Sequence, residues 1–100
     1  MTTNPDPRTA TLQSLKQGDQ VEFKLLAEHG SHTGRGEVVE REDASAVIDL
    51  TNGIRVGYKH YPRLELRHDP GGPLRSPVVA ADPESDALVE NVVALERTDG

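Results

Sequence analysis

The segment Ile54–His68 carries four strong bases, Arg55, Lys59, Arg63 and Arg67, against a single acid, Glu65, a local balance of +3. Phosphates attract such cations, and an aromatic ring beside them can stack a base. Arg55, Lys59, Tyr61, Arg63 and Arg67 are therefore candidates for a nucleic-acid surface, with RNA as the alternative partner. Strand alternation places Arg55 and Lys59 opposite Val56 and Tyr58, and Arg63 and Arg67 away from Leu64 and Leu66. The competing expectation is a solvated outer face on which these bases pair with Glu37, Glu40, Glu42, Asp49 and Glu65. The whole chain holds 11 Lys+Arg against 17 Asp+Glu, a net charge of −6, and this favours pairing.

Other chemistries find less support. His29, His32, His60 and His68 can supply neutral imidazoles to zinc. No carboxylate is placed by spacing to orient those rings, so no metal is expected. Cysteine is absent, which excludes disulfides and thiolate chemistry. Ser31, His32 and Asp49 have no triad spacing, and Gly34-Arg35-Gly36 precedes no helical pattern that would make it a phosphate loop. Glu40, Glu42 and Asp43 read as a solvated acidic turn. The expectation is a protein with no catalytic residues and no cofactor.

One hundred residues suit one domain. No apolar run approaches the ~20 residues of a membrane span, and Met1–Pro7 lacks the features of a signal peptide, so a cytoplasmic protein is expected, with no membrane partner. After residue 70, Arg75 and Arg97 stand against six carboxylates, which places four of the six net negative charges there. Lysine is confined to positions 16, 24 and 59, and with the acidity this points to a halophile or an actinobacterium.

Residues 1–11 are polar with Pro5 and Pro7 and are expected to form a disordered arm. Leu12 and Leu15 suggest a single helical turn. Period-2 alternation then predicts five strands within residues 12–69. They are carried by Val21, Phe23 and Leu25; by Gly34–Arg41; by Ala46, Ile48 and Leu50; by Ile54, Val56 and Tyr58; and by Leu64 and Leu66. A three-residue loop, Thr51-Asn52-Gly53, keeps Leu50 and Ile54 on one face, requires a left-handed Gly53, and sets Asp49 opposite Arg55. Pro62 suits an edge or a corner.

Residues 70–81 read as a linker. Residues 82–98 read as an amphipathic helix, with Asp82 as cap, Pro83 in the first position, and Leu88, Val92 and Leu95 as a stripe. That stripe is expected to pack on the barrel or to dock on a partner. A sixth strand is the competing reading, because several valines lower helicity.

The resulting architecture is mainly β: a five-stranded antiparallel small barrel with a disordered N-terminal arm and a C-terminal helix. Leu15-Lys16-Gln17-Gly18-Asp19-Gln20-Val21, Gly34-Arg35-Gly36-Glu37-Val38-Val39 and Leu64-Glu65-Leu66 resemble the opening, second and closing strands of Src-homology-3-like barrels of the Tudor and KOW kind. The resemblance covers residues 12–68 and implies a binding module for RNA, ribosomal elements, methylated side chains or proline-rich peptides. With only Phe23, Tyr58 and Tyr61 as aromatics, a methyl-ammonium cage is not expected. Asp49–Val56 is similar to the Asp-x-Ser-x-x-Gly strand of PilZ domains, but its glycine comes one residue early and no Arg-x-x-x-Arg precedes the first strand. The function expected is a non-enzymatic binding or adaptor module with a protein partner, and RNA binding is the alternative.

Overall fold

Alternation of apolar and polar residues turns Val21, Phe23 and Leu25 of one strand, and Leu64 and Leu66 of another, toward a shared interior where they are almost fully buried. The computed structural model describes residues 7–27, 30–68 and 77–98. Its elements are helix α1 (Pro7–Ser14) and strands β1 (Gln20–Ala27), β2 (Gly30–Glu42), β3 (Ser45–Val56), β4 (Lys59–His68), β5 (Val78–Ala81) and β6 (Leu88–Thr98). Each strand runs antiparallel to the one before it, and β6 pairs back onto β1. The mainly β, closed small barrel expected from the sequence is present, with six strands in place of five and its helix at the N-terminal end. Val38, Ile48, Leu50, Ile54, Val78, Ala80, Val92 and Leu95 complete its core with Leu12 and Leu15.

The expected C-terminal helix is a strand, and the reason lies in a bulge. Leu25 stands opposite Val92 and Lys24 opposite Ala94, so Val93 is an extra residue in β6. The bulge turns two residues three apart, Val92 and Leu95, toward the same interior. A strand with period 2 thereby acquires a spacing that imitates a helix. The β-branched Val89, Val92 and Val93 are at ease in a pleated ladder. Asp82 does cap, but what it caps is a turn: its Oδ1 accepts a hydrogen bond from the Glu84 amide at 2.9 Å.

The expected linker contains β5. All four of its residues are buried, so Val78-Val79-Ala80-Ala81 lacks the alternation that marks a strand with one wet face. At the other end, α1 begins at Pro7, a residue well suited to a first helical position. It occupies residues 7–11 of the expected arm; residues 1–6 lie outside the described residues. Leu12 is fully buried, and α1 packs chiefly on β6. The Arg41 guanidinium ties the helix end to the barrel. It donates to the carbonyls of Leu15 at 3.0 Å and Gln13 at 3.3 Å, and to that of Ser45 at 2.9 Å.

The segment 45–68 forms two long strands where three short ones were expected. Pairing runs to Asp49 opposite Arg63 and resumes at Ile54 opposite Tyr61, so residues 50–53 bulge out against Pro62. Proline has no N–H to offer, which makes this the place in β4 where it costs the ladder least. Gly53 is left-handed, as the loop geometry requires, with φ +66°. It turns a corner within β3, and the hairpin turn itself falls at Gly57-Tyr58. Tyr58 is accordingly fully exposed and not in the core, and Asp49 faces Arg63 in place of Arg55.

Candidate functional site

Three of the four bases singled out in the sequence are held by carboxylates. Lys59 Nζ lies 2.8 Å from Asp82 Oδ2, and Arg63 Nε lies 3.4 Å from Asp49 Oδ1. Arg67 pairs with both Glu65 and Asp86. Arg55 is exposed opposite His60 and makes no ion pair among the described residues. Of the five carboxylates expected to pair with these bases, Asp49 and Glu65 do so, while among the described residues Glu37, Glu40 and Glu42 form no ion pair with them. Asp82 and Asp86, assigned from the sequence to a helix, instead reach β4 from the connection between β5 and β6. Tyr61 packs partly against the core, and Lys59 Nζ sits 5.1 Å from its ring centroid, within cation–π range.

The hydrophobic stripe named from the sequence is divided. Leu88 opens β6 and is 36% exposed, while Val92 and Leu95 are core residues. Of the histidines, His32 lies on β2 and His60 and His68 near the two ends of β4. His29 lies outside the described residues. The His60 ring stands over the corner in β3, its Nε2 3.4 Å from the Asn52 carbonyl.

Lys59, Tyr61, Pro62 and Arg63 share a groove of about 560 Å³ with Glu40 of β2, Val47 and Asp49 of β3, and Asp82-Pro83-Glu84. Two local features build it. A bulge at Val39 lets Val38 point inward and Glu40 outward, though they lie two residues apart. Glu40 then faces Val47, which is only 7% exposed although it projects from the outer side of β3, and Glu65 flanks Val47 on the other strand. The run Ala46-Val47-Ile48 interrupts alternation, and this is the sequence signal for an apolar spot on the outside of the barrel.

The wall formed by residues 82–87 is fastened through Asp82, whose side chain is 7% exposed. Its carboxylate accepts from Lys59 Nζ and from the Glu84 amide, while the Asp82 amide donates to the Ala87 carbonyl and the Asp86 amide donates to the Asp82 carbonyl, each at 2.8 Å. The Lys59 hydrogen bond, followed by the Glu84 amide, lowers the Asp82 pKa from 3.8 to about 2. The same bond to Asp82 raises the Lys59 ammonium above its ordinary value.

Glu40 and Glu84 line the groove, and neither carboxylate forms an ion pair or hydrogen bond among the described residues. The arrangement offers an apolar floor and prolines, two cations already matched, and two carboxylates left over. A second hollow, of about 730 Å³, lies by Gly18, Glu22 and Arg35; it is more open, and Arg35 is paired with Glu22 at 3.0 Å. Among the described residues no helix is long and apolar enough to cross a membrane. Compared with known proteins, the chain matches no family model, no curated protein and no solved structure.

Proposed function

We propose that this chain is a non-enzymatic binding module that engages a protein partner through the groove outside β2, β3 and β4. The observation that carries this reading is the pairing of Lys59, Arg63 and Arg67 with Asp82, Asp49, Glu65 and Asp86. Phosphate binding would have to displace those carboxylates and then approach Glu40 and Glu84, an electrostatically unfavourable exchange. Val47, Tyr61, Pro62 and Pro83 instead give a partly apolar floor, and a polar rim around such a floor is the anatomy of a protein interface. The resemblance of residues 12–68 to Src-homology-3-like barrels implies a binding module for RNA and protein alike, and Leu64-Glu65-Leu66, its closing strand, lies in β4 while β6 closes this barrel.

Titration with labelled 20-nucleotide RNA and DNA at several salt concentrations tests it. The expected result is no micromolar binding even at about 50 mM salt, where phosphate contacts are strongest. Micromolar binding with a steep salt slope, lost when Arg55, Lys59, Arg63 and Arg67 are all replaced by alanine, would substitute the nucleic-acid function for this one.

A further inference from the structure

Resting on the protein-binding reading of the groove, we propose that the partner presents an extended cationic segment, its Lys or Arg side chains neutralising Glu40 and Glu84 across an apolar residue seated on Tyr61, Pro62 and Pro83. Four carboxylates and two strong bases line this groove. Lys59 and Arg63 pair with Asp82 and Asp49; Glu84 acts on Lys59 through space without an ion pair and His60 also lines the groove, so the carboxylates a ligand can still pair with are Glu40 and Glu84. Both are held outward by backbone features. The Val39 bulge orients Glu40, and the Glu84 amide is bonded to Asp82 Oδ1 at 2.9 Å.

Val47 at the floor is only 7% exposed, so the apolar surface left for a ligand to cover is that of Tyr61, Pro62 and Pro83 around it. The whole chain adds a field of the same sign, with net charge −6, which steers cations toward the surface and disfavours a second copy of the chain as occupant. Arg55 is exposed beside His60 but does not line the groove.

The test is an amide chemical-shift titration of the full chain with three 12-residue peptides that share their apolar residues and carry net charges of +4, 0 and −4. The +4 peptide is expected to shift Glu40, Val47, Tyr61 and Glu84, more weakly as salt rises, and the −4 peptide is expected to leave them unmoved. Glu40→Gln with Glu84→Gln is expected to weaken the +4 peptide about fivefold, the combined effect of two exposed charge contacts, while the rest of the amide spectrum stays in place.

Equal binding of the neutral and +4 peptides in the groove would overturn the cationic assignment and leave the groove reading standing. Shifts confined to other surfaces would overturn both. Spermidine reproducing the entire +4 pattern, Val47 included, would overturn the peptide as occupant.

Discussion

Asp82 is bonded on both carboxylate oxygens, to Lys59 and to the Glu84 amide, and it fastens the wall of the groove to β4. Its folded pKa of about 2 lies below the ordinary 3.8, so the stabilisation it brings is fully present above about pH 4 and is lost as pH falls toward 2. Lys59 has the opposite sign. Its raised pKa gives stability that is present below 10.5 and lost as pH climbs through the folded value. Urea unfolding between pH 5 and pH 2 checks this at the residue concerned. Asp82→Asn is expected to flatten the acid limb relative to the native chain, and an unchanged acid limb would show that the pair contributes nothing to folding. High salt is expected to weaken the pair less than the Arg63–Asp49 pair, whose two side chains are each more than half exposed.

Among the elements, β6 departs furthest from the helix that its residue spacing imitates. In a helix, Leu88, Val92 and Leu95 would form one stripe and contribute alike. In the strand, Leu95 lies in the core opposite Phe23 and Leu88 stands at the rim. Leu95→Ala is therefore expected to cost about 2–5 kcal/mol and Leu88→Ala less than about 1 kcal/mol, as read from urea unfolding. Similar costs for the two would contradict the bulged strand.

The same element explains where sequence reading stops. Val21, Phe23 and Leu25, and Leu64 and Leu66, alternate cleanly and disclose β1 and β4. Gly53 discloses a left-handed residue, and Pro62 a break in pairing. What they do not disclose is that both belong to a single corner inside β3 and β4, because the choice between hairpin and corner depends on β2 continuing to pair with Leu50. The bulge at Val93 disguises β6, and burial on both faces disguises β5. The N-terminal helix escapes because only Leu12 and Thr9 of its eight residues are buried, which leaves almost no periodic signal.

For the whole molecule, closing six strands by β6–β1 pairing removes the free sheet edges that a five-stranded open arrangement would leave exposed. It also brings the connection between β5 and β6 against β4, and so joins two stretches of opposite charge. The basic segment 54–68 and the acidic residues beyond 70 look segregated along the chain, yet Lys59 meets Asp82 and Arg67 meets Asp86 in space. The candidate cations were legible in the sequence. Their neutralisation was only half legible, since two of the partners, Asp82 and Asp86, lay in a segment assigned to the wrong element.

The proposed docking face for a protein partner is the outer side of β2, β3 and β4. The chain has no cysteine, so a single introduced thiol can carry a benzophenone photo-crosslinker at one chosen position. Pro62→Cys places it in the groove, and Lys24→Cys places it on an exposed residue of β1 that does not line the groove. In native extract, illumination is predicted to give a discrete protein adduct from position 62 that is absent from position 24 and is suppressed by Glu40→Gln with Glu84→Gln. Equal adducts from both positions, or adducts to nucleic acid from position 62, would contradict it.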